Sequence, residues 1–425
     1  MVSGGQTHAK ASAAVAAPGT FGARILDLAD RLAKWSDSQD NLTCTYLTSA
    51  HRAVAGQLRE WMREAGMTAE IDTVGNVVGR FAALDPGAKI LIIGSHYDTV
   101  RNAGKYDGRL GILAALVVVE HLNAIGRRLP FNFEVIAFSE EEGVRFGTAY
   151  LGSSAVAGRF DRQVLERRDA SGLSVAELIR STGGNPDAIP ALARQAQKLL
   201  GYLEVHIEQG PVLLQEKLPV GIVTAVAGSV RYLISIIGVS GHAGTVPMTA
   251  RNDAAAAAAE IVLFAERRCR QAQGLVGTVG QLTVPNGAIN VIPGRCELSL
   301  DIRADDVTKR DAAIADLFAE IEQIKKRRGV AIEVAEVQRT PTVACSPRMQ
   351  GLLADAIVRA GIRPHYLPSG AGHDAVMFDG ITDIGMLFVR CGNGGISHSP
   401  LESLTADDAD VAARILLDVI MNFQE

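Results

Sequence analysis

Apolar residues fall along this chain in two rhythms, and the change from one to the other marks its elements. Phe21, Ile25, Leu28, Leu32 and Trp35 recur at three- and four-residue steps, which predicts a helix beginning after Thr20. A second helix is expected from about His51 to Ala65, ended by Gly66. Two short strands, roughly Glu70 to Asp72 and Asn76 to Ala82, then precede Lys89 to Gly94, an unbroken apolar run of buried-strand length. A helix from about Leu110 to Ile125, a strand from Phe131 to Phe138 and a further strand within Tyr202 to Pro211 continue the alternation. Strand and helix alternating in this way indicate an α/β domain.

Between Pro211 and about Gly329 the texture changes. Strands near Val220 to Ala227, Arg231 to Val239, Val276 to Val284 and Arg295 to Arg303 accompany helices near Asp253 to Gln271 and Thr308 to Arg328, the pattern of a two-layer α+β insert. The run Ala254 to Ala259 reads as a smooth, closely packed stretch of helix, since alanine is the best helix former. Past Gly329 the chain is expected to return to the first domain through a strand near Ala331 to Gln338, a helix near Arg348 to Ala360, a strand from Ile384 to Val389 and a last helix from about Asp407 to Phe423. The expected division is a lead-in over 1–20, a first domain over 21–211 and 330–425, and an insert over 212–329.

A chain of 425 residues is too long for one ordinary core, which agrees with two domains. Lys plus Arg at 42 against Asp plus Glu at 47, with no basic block, argues against nucleic acid as a partner. Five scattered cysteines, an odd number with no CxxC pair, suit free thiols in a reducing compartment. The patch Ala13 to Ala17 is too short for a signal-peptide core, and no run approaches the roughly 18 apolar residues of a membrane helix. A cytoplasmic protein without a membrane partner is expected.

Chemistry concentrates where apolar strands end. Ser139-Glu140-Glu141-Glu142-Gly143 closes the Phe131 to Phe138 strand, and like charges that close disfavour one another unless a cation compensates them. A solvated acidic turn is the plainer alternative. His96 and Asp98, two apart at the end of the Lys89 to Gly94 run, point to one side, so one can ligate a metal while the other orients its imidazole. Asp107 opens a helix and could be only its cap. His206 sits on the strand of Tyr202 to Pro211, and His398 lies in the glycine-rich loop Gly394 to Pro400. Imidazoles and carboxylates without thiolate suit Zn²⁺, Mn²⁺ or Co²⁺, and five such ligands exceed one tetrahedral ion. Two ions sharing a carboxylate account for the number.

The segments GSHYDTV, YDGRLG, SEEEGVRF, LEVHIEQGP, GHAGTVPM, INVIPG, LDIR, SGAGHD and GISHSP, in that order from about Phe21 to Phe423, resemble the hydantoinase/carbamoylase-type amidases of the dinuclear metallopeptidase superfamily. The resemblance implies a mixed-sheet, three-layer α/β catalytic domain with the insert as lid and dimerisation domain. It implies that Asp107 bridges two ions, that His96 and His206 complete one and Glu142 and His398 the other, and that Asp98 supports His96. Glu141 would be the general base; Glu140 receives no role. His242 would reach the neighbouring subunit's active site in a homodimer and stabilise the developing oxyanion. Arg303 would clamp a substrate carboxylate, with Gln209, Asn290 and the Gly370 loop completing the pocket. His373 and Asp374 are left outside the ligand set. The implied reaction is hydrolysis of a ureido acid, most simply an N-carbamoyl-L-amino acid, with allantoate and N-carbamoyl-β-alanine as alternatives. An N-acyl deacylase or peptidase would release no ammonia, and a binding protein would turn nothing over.

Overall fold

Strands buried on both faces need no alternation, and this chain puts four of them side by side. The computed structural model describes residues 20–424, so the expected lead-in, apart from Thr20, lies outside the described residues. Two compact units divide the chain: the first runs to Val223 and includes Cys345–Tyr366 and the chain from His373 on, while the second is Thr224–Ala344 with Leu367–Gly372.

In the first unit Asn132–Phe138, Ile90–His96, Leu199–Ile207 and Ile384–Val389 lie parallel in that order. Val77–Phe81 and Thr68–Ile71 extend the sheet antiparallel at one side, and the start of Val220–Val226 does so at the other. Every residue of the four parallel strands is buried. On one face Leu91, Ile93, Val135, Leu203 and Val205 join a single apolar core with the helices Thr20–Leu32, Arg109–Ala124, Pro347–Arg359 and Ala406–Asn422. On the other, Tyr202 stacks on Phe378 with centroids 4.3 Å apart, under the short helices Leu151–Val156 and Asp374–Phe378. The expected mixed sheet between two layers is present. Because Ile92 stands opposite Tyr202, the strand ends bring His96 and His206 side by side on this second face, centroids 5.7 Å apart.

In the second unit Gly228–Ile237 is paired antiparallel with Arg295–Ala304 on one side and Ala331–Arg339 on the other. Alternate residues of Arg295–Ala304 are buried, and Val230, Tyr232, Ile234 and Ile236 face the helices Ala254–Arg270 and Val307–Arg328. The first helix is capped by Asp253, which accepts from Ala255 N and Ala256 N, and Ala254, Ala257 and Ala258 form its packed side. This is the expected two-layer α+β arrangement.

The boundaries differ from the sequence reading. Ala331–Arg339 pairs within the second unit instead of returning to the first, and Val220–Val226 starts in the first, against Ile384–Val389. The units therefore part at Val223 and Cys345 rather than at 211 and 330. Strand partners are long-range choices, and the mostly exposed Ala331–Arg339 strand carries no local signal of which sheet it joins. The expected strand Val276 to Val284 is split into Leu275–Thr278 and Leu282–Thr283 around Gly280. All five cysteines are buried and unpaired with one another, and among the described residues no helix is long and apolar enough to cross a membrane.

Candidate metal centre

His96 ends its strand, and the loop carrying Asp107 must come very close to it. Gly108, at φ 66°, makes that approach possible: a Cβ there would lie 2.4 Å from the imidazole. Asp107 is not a helix cap, because the helix begins at Arg109 with Gly108 in the capping position and no side-chain cap bond. Its carboxylate turns instead toward the histidines. His206 Nε2 lies 3.2 Å and His96 Nε2 3.7 Å from Asp107 Oδ1, while His398 Nε2 lies 3.2 Å from Asp107 Oδ2 and 3.4 Å from Glu142 Oε1. Within each of three sets (His96, Asp107 and His206; Asp107, Glu142 and His398; His96, Glu141 and Glu142) the ligating atoms all fall within 4.8 Å of one another.

The hydrogen bonds show what kind of occupant these groups suit. His206 Nδ1 is 2.9 Å from the Ile207 carbonyl, and His96 Nδ1 is 3.2 Å from the Asp98 carbonyl. Each Nδ1 therefore carries its proton, which leaves both Nε2 atoms as acceptors beside Asp107 Oδ1, that of His206 also taking a hydrogen bond from Gly108 N at 3.2 Å. That oxygen is buried and has no hydrogen-bond partner. Three acceptors converging in a buried place call for a cation, and imidazole with carboxylate is the donor set of a divalent ion. Burial disfavours the His96 and His206 imidazolium ions, but hydrogen bonding to Asp107 outweighs it and raises both pKa values. Asp107 itself is held well below the usual carboxylate range: burial opposes this, and His206, His398 and His96 overcome it.

The glutamate run is sorted by its backbone. Glu140 adopts φ 53°, and the turn it makes presents the next two amides to Asp98. Asp98 Oδ1 accepts from Glu141 N at 3.0 Å, and Oδ2 accepts from Glu142 N at 3.2 Å. Asp98 Oδ1 also lies 3.5 Å from His96 Nδ1, so one buried carboxylate orients three neighbours. Burial, with Glu142 and Asp374 close by, raises the proton affinity of Glu141 against the opposing effect of His96. Burial and Asp107 push Glu142 up to about 7, and hydrogen bonding to Asp107 lifts His398 to about 9. Gln209, at φ 55°, donates its amide to Asp107 Oδ2 at 2.9 Å and keeps a buried Oε1 without a partner.

The structure thus brings His96, Asp98, Asp107, Glu141, Glu142, His206, Gln209 and His398 together in the first unit. In the second unit two other candidates are neighbours: Val291 pairs with His242, and Ala243 N donates to Asn290 O at 2.9 Å. Gly244 N donates to His242 Nδ1 at 3.0 Å, so the exposed imidazole carries its proton on Nε2. Arg303 meets Gly370, donating to its carbonyl at 2.9 Å, and its Nε and other terminal nitrogen grip Asp301 at 3.1 and 3.0 Å. These residues line a cavity of about 720 Å³ that also holds Arg231, itself bonded to Asp301.

Several buried polar groups escaped the sequence reading. Glu204 accepts from Ser95 Oγ, Tyr202 Oη and Ala375 N, and it forms a further donor set with His206 and His373. Its place two residues before His206 in an apolar strand was the available signal. His373 and Asp374, left aside by the sequence reading, are both buried, and the His373 ring meets His206 edge-on at 4.5 Å. Ser397 and Glu402 lie in an irregular loop where periodicity says nothing.

The model of the peptidase family M20/M25/M40 matches residues 92–422. The chain is 41% identical over 373 residues to an N-carbamoyl-L-amino acid amidohydrolase of Geobacillus stearothermophilus, covering 88% of this chain and 91% of the other. It is 39% identical over 422 residues to a probable allantoate deiminase of Oryza sativa subsp. japonica, covering 92% and 86%. A solved hydantoinase/carbamoylase family amidase from Burkholderia multivorans superposes with a TM-score of 0.88 at 31% identity, over 94% of this chain and 97% of that one.

Proposed function

From a chain that belongs to the peptidase family M20/M25/M40, and within it to the hydantoinase/carbamoylase amidases, we propose a metal-dependent enzyme that removes the carbamoyl group of an N-carbamoyl-L-amino acid. The class of reaction is hydrolysis of a carbon–nitrogen bond other than a peptide bond. The observation that carries the metal dependence is Asp107, whose one oxygen faces His96 and His206 and whose other faces His398, itself beside Glu142. Asp107 would hold two divalent ions, zinc, manganese or cobalt, one together with His96 and His206 and the other together with Glu142 and His398. When bound, they acidify a water and polarise the ureido carbonyl.

The chain's own groups do the rest. Glu141 takes the proton of the attacking water and delivers it to the departing nitrogen, and its raised proton affinity suits that exchange. Ammonia and carbon dioxide leave and the free amino acid remains. Arg303 is the proposed partner of the substrate carboxylate, and Asn290, Gln209 and the Gly370 loop are the other proposed substrate-binding groups. In a homodimer, His242 offers its Nε2 proton to the carbonyl oxygen of the neighbouring subunit's substrate as charge develops there. The enzyme works in the cytoplasm.

Allantoate is the second reading, favoured by the similarity to allantoate deiminases over 92% of the chain. N-carbamoyl-β-alanine shares the same ureido head and carboxylate tail. The test is ammonia release by the Mn²⁺- or Zn²⁺-reconstituted protein on N-carbamoyl-L-amino acids, their D-forms, N-carbamoyl-β-alanine and allantoate, with Glu141→Gln as blank. Preferential turnover of an N-carbamoyl-L-amino acid is expected. A preference for allantoate would move the assignment to the second reading, and silence across the panel with metal bound would overturn both.

A further inference from the structure

One buried acid next to the centre has no part in the reaction as written. Glu402 lies in the loop after His398, and its Oε1 accepts from Tyr106 N at 2.7 Å and Asp107 N at 3.2 Å. Its Oε2 is 2.9 Å from Ser397 Oγ, and that hydroxyl is 2.8 Å from Asp107 Oδ2. Glu402 thus bears on Asp107 from two directions, by its backbone directly and by its carboxylate at Ser397, whose one hydroxyl proton is shared between Glu402 Oε2 and Asp107 Oδ2. Gly104 leaves the space for this: a Cβ there would come within 2.2 Å of the Glu402 carboxyl carbon. The loop carrying Asp107 and the loop carrying His398 are tied at the very residues that flank the donors, with His398 at φ 53° next to Ser397. Such an investment of buried hydrogen bonds fixes the direction of the Asp107 carboxylate before any ion arrives.

We infer that Glu402, acting through Ser397, is the positioning residue that sets Asp107 and His398 for divalent-metal binding. The inference rests on the reading of Asp107 and His398 as ligands. The contrary view is that Glu402 only staples two loops, in which case its loss lowers stability and leaves metal affinity alone.

The experiment uses the full chain stripped of metal, titrated with Zn²⁺ or Mn²⁺ against a competing chelator, alongside thermal unfolding of the same metal-free samples. Glu402→Ala should weaken binding about 10- to 100-fold, the range found for groups that orient ligands, and Ser397→Ala should weaken it in the same direction. Glu402→Gln should bind within a few-fold of wild type. Its amide oxygen still accepts from the two backbone N–H groups, and its NH₂ donates to Ser397 Oγ, which frees the hydroxyl proton for Asp107. Should Glu402→Ala not fold, the contrast between Ser397→Ala and Glu402→Gln carries the same information. Unchanged affinity in the alanine variants, with or without a drop in unfolding temperature, would overturn the clamp while leaving the metal site standing. A wild-type chain that binds neither ion would overturn the metal reading itself, and the clamp with it.

Discussion

Replacing Asp98 by asparagine changes one atom and should disturb three residues at once. Asp98 is buried and uses both carboxylate oxygens as acceptors, one for Glu141 N at 3.0 Å and one for Glu142 N at 3.2 Å. An asparagine has one acceptor oxygen, so whichever way the amide is turned, an NH₂ confronts a backbone N–H that had been satisfied. Leaving one buried donor unpaired costs about 1–3 kcal/mol. The lost charge adds to this, because the His96 Nδ1–H at 3.5 Å then faces a weaker partner. The total should be roughly 2–4 kcal/mol.

Two readouts divide that sum. Whatever part the metal-free fold absorbs appears as a lower unfolding midpoint in urea. The remainder displaces Glu142 and His96 from the positions in which they meet a cation, and should weaken Zn²⁺ or Mn²⁺ binding by about 10- to 100-fold, or roughly 1.4–2.8 kcal/mol. Asp98→Asn bound to metal within twofold of wild type, with an unshifted urea midpoint in the metal-free form, would refute the claim that this carboxylate orients the site.

Glu141→Gln should retain full metal content yet lose about 10²- to 10⁴-fold in kcat; near-normal turnover would remove Glu141 as the base. Arg303→Ala should raise KM for an N-carbamoyl amino acid by at least about tenfold, the loss of one charge-assisted pair, with metal content unchanged by elemental analysis; an unchanged KM would take Arg303 out of the carboxylate pocket. His51 gives a pH dependence of stability. Burial lowers its pKa to about 4, since Nδ1 already faces Tyr97 Oη and Nε2 has no partner to receive a second proton. Its folded value lies below the ordinary 6.5, so its contribution is complete above pH 6.5 and fades as pH falls toward 4, by roughly 3 kcal/mol in all. Urea midpoints of the metal-free protein across that window should fall less steeply in His51→Asn than in wild type, and parallel slopes would count against it.

What the sequence made legible was local. The apolar runs at Ile90–His96, Asn132–Phe138 and Leu199–Ile207 announced buried strands because a strand covered on both faces cannot afford polar alternation. Their polar endings announced the site for the same reason, since a His or Glu in such surroundings needs a partner. Pairing was not legible. Ala331–Arg339 reads as a strand, but nothing within it says that Gly228–Ile237 lies alongside, and so its unit was misjudged. Asp107, taken alone, reads as a helix cap, whereas Gly108 holds that position. Glu402 was invisible altogether, because its partners Tyr106 and Asp107 are about 300 residues away and a single Glu in a loop has no pattern to betray it.

The three consecutive glutamates show how identical side chains acquire different chemistry without any difference in sequence type. Glu140 takes the left-handed turn, and burial raises the proton affinity of its carboxylate, which has Arg145 N on Oε1 at 3.3 Å and no partner on Oε2. That turn is what aims the following two amides at Asp98, and Asp98 then fixes which way each of the next carboxylates leaves the backbone. Glu142 arrives beside His398 and Asp107, while Glu141 stays in the set with His96 and keeps a high proton affinity. A residue suited to accept and return a proton and a residue suited to hold a cation are thus separated by one peptide unit. The separation depends on backbone direction, so a substitution that relaxes the turn at Glu140 should blur both roles together, even though Glu140 takes no part in either.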